Sequence, residues 1–249
     1  MLTAYYNEID SYAAQWLRNL IAANLIALGD VDERSIVDVQ PDDLKAYSQC
    51  HFFAGIGGWS YALRLAGWPD DEPIWTGSCP CQPLSVAGQR KGHADERHLW
   101  PAFYRLIAER SPAIVFGEQV ASKDGREWLA AVRADLESLG YACGAADLCA
   151  AGVGAPHVRA RIYWLADSRD ARLSRPVSQG HGLRGVAGSA SAKRGNGRLC
   201  PWLFDCTNPD SIGSPDGLRR PVGDVRAYGN AIVPQVAAEF VSAFLEINE

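Results

Sequence analysis

The chain has 249 residues, of which 47% are hydrophobic and 21% are charged, and its formal net charge is −5 at pH 7. This length allows one α/β domain with an appended lobe but is short for two independent domains. No apolar run reaches membrane-spanning length and the first ten residues lack the basic flank of a signal peptide, so we expect a cytoplasmic protein without a membrane partner.

The cysteines predict neither a disulfide framework nor a metal site. There are seven, an odd number, in a chain without an export signal. One residue separates Cys79 from Cys81, whereas the ligand pairs of zinc knuckles are separated by about two to four.

Charge is unevenly distributed along the chain. Residues 169–226 contain ten basic and five acidic side chains, a net charge of +5, and the remainder contains 14 and 24, a net charge of −10. A basic segment on an acidic body suits contact with phosphates, although a solvated loop region would look the same.

In chain order, residues 4–9 predict a buried strand, and residues 10–28 predict a helix capped by Asp10 or Ser11. Residues 50–67 indicate a strand, a glycine turn and a helix, and residues 72–80 a strand ending in a loop. Further elements follow as a helix at 99–110, a strand at 112–118, a helix at 125–139 and a strand at 160–167. This alternation predicts a parallel sheet covered on both faces, with ligands at the carboxyl ends of its strands.

The regular pattern stops at Ser168 and returns in a terminal helix opened by Pro234. Between them, residues 180–197 carry six glycines together with serines and basic residues. We therefore divide the chain into a main domain, residues 1–168 with 229–249, and a small basic region, residues 169–228.

Two short motifs indicate chemistry. Gly55, Gly57 and Gly58 lie between a strand and a helix, where glycines let a ligand approach the backbone closely, but their spacing fails the dinucleotide pattern. The second motif is Pro80-Cys81-Gln82, set among small residues.

These motifs and four later features, in this order, resemble the cytosine-5 DNA methyltransferases. The later features are the helix after the cysteine loop, "VFGEQV" around Glu118, "HVRARIY" with Arg159 and Arg161, and "YGNAIVP" near the end. The resemblance implies a Rossmann-like S-adenosylmethionine-dependent methyltransferase sheet with helices on both faces plus a small irregular target-recognition lobe. Residues 1–168 with 229–249 would then be the catalytic and cofactor-binding domain, and residues 169–228 the target-recognition region. Gln119 and His157 depart from the family's usual asparagine and glutamine.

The resemblance also implies roles for the catalytic residues. The Cys81 thiolate adds to carbon 6 of cytosine, which makes carbon 5 nucleophilic, and Glu118 stabilises ring nitrogen 3. Arg159 and Arg161 are one residue apart on a predicted strand, so we expect both to face the base's oxygen, the Glu118 loop or a phosphate.

For S-adenosylmethionine, the resemblance implies a site around the glycine turn and the closing motif, comprising Phe53, Ala54, Gly55, Ile56, Gly57, Gly58, Pro80, Asn230 and Ala231. The two strands that normally follow the glycine turn are missing after it. A similar pair precedes it, so we expect a permuted order in which Glu8 and Ile9 bind the ribose side and Asp30 and Val31 face adenine. An amino-terminal extension with incidental acids is the alternative.

Double-stranded DNA is the expected partner, and the target base must leave the helix to reach Cys81. The predicted DNA contacts are Gln82, Ser85, Gln89, Arg90, Lys91, Arg184, Lys193 and Arg194. We expect a monomer in the cytoplasm of a bacterial or phage-infected cell. Methylation of cytosine in transfer RNA and an inactive DNA-binding relative remain as alternatives.

Overall fold

A computed structural model describes residues 3–80, 99–169 and 231–248 of the chain. Several predicted site residues lie outside these ranges, and so does the predicted target-recognition region apart from Arg169. The site residues concerned are Cys81, Gln82, Ser85, Gln89, Arg90, Lys91, Arg184, Lys193, Arg194 and Asn230.

The described residues form seven strands and five α-helices. The strands are β1 (Ala4–Asn7), β2 (Gly29–Asp32), β3 (Gln49–Phe52), β4 (Ile74–Gly77), β5 (Ile114–Val120), β6 (Ala142–Cys149) and β7 (Ala160–Asp167). The helices are α1 (Ser11–Ala22), α2 (Gly58–Leu65), α3 (Trp100–Arg110), α4 (Lys123–Ser138) and α5 (Pro234–Asn248).

One sheet contains all seven strands in the order β2-β1-β3-β4-β5-β7-β6. Strands β1 to β5 pair in parallel, but β7 is antiparallel to both β5 and β6. The prediction of a wholly parallel sheet was therefore wrong at β7. Strand β6 was not predicted, because its small residues and half-exposed edge position give no clear apolar alternation.

Helices cover both faces of the sheet, as predicted. On one face, α1 packs on Tyr6 of β1, and α2 and α5 pack around Phe116 of β5 and Tyr163 of β7. On the other face, α3 and α4 pack on Val115 and Trp164, the neighbours of those residues in β5 and β7. Side chains alternate along a strand, so each strand contributes to both core layers.

Helix α1 confirms its predicted cap but is shorter than predicted. The Asp10 carboxylate accepts hydrogen bonds from the backbone nitrogens of Tyr12 and Ala13. The helix ends at Ala22 because Asn24 takes a left-handed conformation with φ of 53°, which turns the chain toward β2.

A buried histidine of β3 contacts side chains of the two neighbouring strands, β1 and β4. Nδ1 of His51 lies 2.8 Å from the Thr76 hydroxyl, its Nε2 lies 3.2 Å from Oε1 of Gln49, and its ring stacks on Tyr6. The amide nitrogen of Gln49 donates to a backbone carbonyl, so its oxygen faces His51 and Nε2 is the donor. Burial lowers the pKa of His51 to about 3 and keeps the ring neutral.

Candidate active site

The glycine turn joins β3 to α2 through three residues with positive φ. These are Phe53 at 52°, Gly55 at 55° and Gly57 at 82°, and α2 begins at Gly58. A non-glycine residue such as Phe53 adopts this conformation at a cost of about 1 kcal/mol, and strain of this kind clusters at ligand sites.

The three glycines of the turn have different surroundings. A Cβ on Gly58 would lie 2.7 Å from Cγ1 of Ile232, and one on Gly57 would lie 3.2 Å from Leu17, so close packing favours glycine at both positions. A Cβ on Gly55 would meet nothing within 4 Å. Space therefore remains at the turn itself, while the neighbouring Ile56 side chain is buried in the protein.

Glu8 is adjacent to the glycine turn although 47 residues separate it from Gly55. Its Oε2 accepts a 2.7 Å hydrogen bond from the Gly55 backbone nitrogen, and its Oε1 accepts one of 2.9 Å from Asp10. Strand β1 lies directly beside β3, and the backbone of Ala54 also donates to Asn7. The next residue, Ile9, is 67% exposed at the same edge, so the predicted ribose-side pair does lie at the turn.

Asp30 does not join this cluster. It is the second residue of β2 and pairs with Tyr5, three residues before Glu8, and its carboxylate accepts a 2.6 Å hydrogen bond from the Tyr47 hydroxyl. Asp30 and Val31 line an open cavity of about 420 Å³ at this edge of the sheet. The last residue of β2 is Asp32, whose carboxylate is bound by Arg34 and Tyr5.

Glu118 and Arg161 form an ion pair at the carboxyl end of β5. Nε of Arg161 lies 2.7 Å from Oε1 of Glu118, and the two side chains are 20% and 10% exposed. Because β7 is antiparallel to β5, its first residues lie beside the end of β5, and Val120 pairs with Arg161. A parallel β7 would have placed Arg161 at the opposite edge.

Arg159 also acts on Glu118, but it does not occupy the strand position that was predicted. It precedes β7 with φ of 32°, so it does not alternate with Arg161 along a regular strand. Its Nη2 donates to the backbone carbonyl of Ala231, and its charge acts on Glu118. Ala231, predicted to bind cofactor, therefore also anchors this arginine.

The beginning of the cysteine loop lies beside Glu118. Gly77 of β4 pairs with Gly117, which places the next residue, Ser78, beside Glu118, with its hydroxyl within hydrogen-bonding reach of the carboxylate. Nε2 of Gln119 donates to the Cys79 carbonyl at 3.2 Å, so this departure from the family pattern still connects the two strand ends.

Cys79 is buried in the core, and Pro80 is exposed. Cys81 follows immediately, outside the described residues.

Opposing effects act on the ionisation of Glu118. Burial raises its pKa above the ordinary value, while Arg161, Arg159 and the Ser78 hydroxyl favour the carboxylate and lower it. Burial is the largest of these effects, so the pKa remains raised and the carboxyl group takes up a proton more readily than an exposed one.

Sequence reasoning did not identify Ser78. The only signal for it was a hydroxyl residue at the carboxyl end of a strand that leads into the cysteine loop.

His157 has a buried Nδ1 without a hydrogen-bond partner among the described residues. No cluster of His, Cys, Asp or Glu with metal-binding geometry occurs in the described ranges, nor does any helix there have the length and apolarity that crossing a membrane requires.

Comparison with protein families finds a match to the model of the C-5 cytosine-specific DNA methylases over residues 68–183. Two curated relatives are the Type II methyltransferases M.HhaI of Haemophilus parahaemolyticus, 34% identical over 107 residues, and M.AplI of Arthrospira platensis, 36% identical over 104 residues. Each alignment covers 41% of this chain and 33% or 29%, respectively, of the relative. The chain thus spans about a third of the length of these relatives.

The family match contains the positions of Cys81, Glu118, Arg159 and Arg161, while the glycine turn and Glu8 precede it. Among solved structures, a DNMT2 mutant of Spodoptera frugiperda aligns over 68% of this chain and 43% of its own, with a TM-score of 0.48 and 15% identity.

Proposed function

We propose that this chain, which matches the model of the C-5 cytosine-specific DNA methylases over residues 68–183, transfers a methyl group to carbon 5 of cytosine in duplex DNA. The observation that carries the proposal is the ion pair of buried Glu118 with Arg161, beside the strand end that leads to Pro80. This arrangement supports acid catalysis by Glu118, together with Cys81, the next residue after Pro80, as a nucleophile.

S-adenosylmethionine is the proposed methyl donor, and the glycine turn fits such a group. The space at Gly55, the carboxylate of Glu8 and the exposed side chain of Ile9 occur together at the carboxyl edge of the sheet. Each Glu8 oxygen has one backbone hydrogen bond and lone-pair capacity left for a ribose hydroxyl. When bound, the cofactor supplies a methyl group activated by a positively charged sulfur.

On the adenine side, we propose Asp30 and Val31, which line the cavity at β2. Phe53, Ala54, Ile56, Gly57, Gly58, Pro80, Asn230 and Ala231 complete the proposed cofactor site. Ile56 and Gly58 would act through the backbone, because the Ile56 side chain is buried and Gly58 packs against Ile232.

Cys81 is the proposed nucleophile. Its thiolate forms a bond to carbon 6 of the flipped cytosine, and the ring's π electrons shift toward carbon 5 and nitrogen 3. Loss of the carbon 5 proton and departure of the thiolate later restore the aromatic ring and the enzyme. Glu118 stabilises the negative charge that develops at nitrogen 3 by donating a hydrogen bond or a proton. The carboxyl group must be protonated to do so. The raised pKa of Glu118 makes that form more accessible near neutral pH.

Arg161 balances this requirement. Its guanidinium holds the Glu118 side chain in place. Its positive charge also favours the carboxylate, which lowers the pKa of Glu118 and opposes the protonation that the proposed role requires. Arg159 adds a second positive charge and is anchored at Ala231, which connects the site to the start of α5. We propose both arginines as catalytic-site residues on these grounds.

We propose that residues of the cysteine loop and of the basic segment bind DNA. Gln82, Ser85, Gln89, Arg90 and Lys91 belong to the first group, and Arg184, Lys193 and Arg194 to the second. We also retain a catalytic domain of residues 1–168 with 229–249, a target-recognition region of residues 169–228, and a monomer.

Methyl transfer from labelled S-adenosylmethionine tests the proposal directly. We expect label in duplex DNA, recovered as 5-methylcytosine after digestion to nucleosides, and much less in transfer RNA. Cys81→Ser and Glu118→Gln should abolish or strongly reduce transfer, and a duplex containing 5-fluorocytosine should form a covalent adduct with the wild type only. Transfer to transfer RNA but not to DNA would assign the RNA alternative, and the absence of both transfer and adduct would favour an inactive relative.

A further inference from the structure

Two side chains connect α2, which follows the glycine turn, to Glu118. Nε1 of Trp59, the second residue of α2, lies 3.1 Å from the Ser78 hydroxyl oxygen. Gly77 pairs with Gly117 in parallel strands, so the next residues, Ser78 and Glu118, are neighbours, and the Ser78 hydroxyl lies within hydrogen-bonding reach of the Glu118 carboxylate. Trp59 is only 4% exposed and packs against Phe116 and Tyr163. The indole is therefore held firmly by the core.

The direction of both hydrogen bonds follows from chemistry. An indole nitrogen can only donate, so the bond from Trp59 occupies a lone pair of the Ser78 oxygen. An ionised carboxylate can only accept, so the Ser78 hydrogen is directed at Glu118. The hydrogen bonds run from Trp59 to Ser78 to Glu118, and together we call them the Trp59–Ser78 relay.

We propose that Ser78 is a positioning residue for Glu118 and that Trp59 fixes the Ser78 hydroxyl for this purpose. The inference rests on the proposed function, since it assigns a further residue to the site that acts on cytosine. Arg161 contacts the Glu118 carboxyl group from β7, and Ser78 contacts it from the end of β4. The carboxyl group is therefore held by side chains from both strands that flank β5. A carboxyl group held on both sides donates to nitrogen 3 without first reorienting.

The charged and titratable groups facing Glu118 in the described residues are few. Arg161 and Tyr163 belong to β7, Arg159 precedes that strand, and the charges of both arginines favour the carboxylate. Ser78 acts in the same direction through its hydrogen bond. Without the Ser78 hydroxyl, one of the groups that lower the pKa of Glu118 is lost while burial still raises it, so this pKa should rise further.

The first experiment measures the pH dependence of kcat for labelled methyl transfer. We expect Ser78→Ala to lower kcat about tenfold with KM for DNA and cofactor little changed, and to move the alkaline limb upward by about half a pH unit. Ser78→Thr retains the hydroxyl and should restore most of kcat. Trp59→Phe should change kcat in the same direction as Ser78→Ala.

Trp68→Phe is the matched control for the loss of an indole nitrogen. Trp68 packs on the same Phe116 but donates to the Glu72 carbonyl, away from Glu118. This variant should retain the wild-type pH profile. Wild-type kcat and pH profile in Ser78→Ala would overturn the proposal, and so would equal losses in Ser78→Ala and Ser78→Thr.

A second measurement separates failure of the relay from failure of the proposed function. The carboxyl carbon of Glu118, ¹³C-labelled and assigned with Glu118→Gln, can be titrated by NMR without any methyl transfer. A higher midpoint in Ser78→Ala than in the wild type supports the relay even if no cytosine is methylated. An unchanged midpoint overturns the relay and leaves the proposed function to its own test.

Discussion

Arg161 and Glu118 form an ion pair in which Glu118 is buried and Arg161 is half-buried, and they come from adjacent strands that run in opposite directions. Leaving one member of such a pair without its partner is costly, because the remaining charge stays poorly solvated. The pair therefore affects stability as well as the proposed chemistry, and the two effects can be measured separately.

Removing Arg161 alone should destabilise the fold, and removing Glu118 as well should recover part of the loss. We expect Arg161→Met to lower the free energy of unfolding by about 3 kcal/mol, and the double variant with Glu118→Gln to recover at least half. Urea unfolding measures all three proteins. Arg133→Met, which removes an exposed pair with Glu137, is the control and should change stability by less than about 0.5 kcal/mol. Strictly additive losses would contradict this interpretation.

Glu8→Gln should weaken cofactor binding. Loss of the negative charge leaves a poorer acceptor for ribose hydroxyls, and we expect Kd for S-adenosylmethionine to rise about tenfold, equivalent to about 1.4 kcal/mol. Isothermal titration calorimetry gives Kd directly. Glu137→Gln removes an acid paired with Arg133 on the surface of α4 and should bind as the wild type does. Equal affinities in the wild type and both variants would support the alternative of an amino-terminal extension.

His51 should make the fold sensitive to mild acid. Its pKa is about 3 in the folded state against about 6.5 unfolded, so below pH 6.5 the unfolded chain binds a proton that the folded chain excludes. Stability from this group is complete above pH 6.5 and is lost as pH falls toward 3. Between pH 7.5 and 5.5 the wild type should lose about 1 kcal/mol more than His51→Asn in urea unfolding. Parallel losses in the two proteins would show that His51 is not the cause.

Gly117→Ala should disrupt the strand that carries Glu118. A Cβ at this position would lie 2.1 Å from the Trp164 ring, which is 2% exposed and has no room to move aside. We expect a loss of about 2 to 3 kcal/mol in thermal or urea unfolding. Gly152→Ala is the control, since a Cβ there meets nothing within 4 Å, and it should be nearly neutral. A neutral Gly117→Ala would mean that the Trp164 side chain repacks freely.

Much of the fold was predictable from local pattern. In the described residues, apolar runs and turn residues located five of the seven strands and all five helices, while the resemblance to the family suggested β2; Asp10, one of the two predicted caps, is the one that caps α1. The missed strand, β6, lies at a half-exposed edge, where small residues carry little hydrophobic signal. Local pattern succeeded for β1, β3, β4 and β5 because these strands are buried on both faces, so each reads as a short buried run bounded by turn residues.

The chemical groups of the proposed site could be read from the sequence: a glycine turn, a Pro-Cys-Gln loop, Glu118 and two arginines, in an order that indicated the family. Which of these groups lie next to each other depends on the fold. Placement of β1 beside β3 brings Glu8 to Gly55, and reversal of β7 brings Arg161 to Glu118, while Asp30 stays apart. Strand order and direction depend on long-range pairing between backbones, and no local pattern of side chains encodes them.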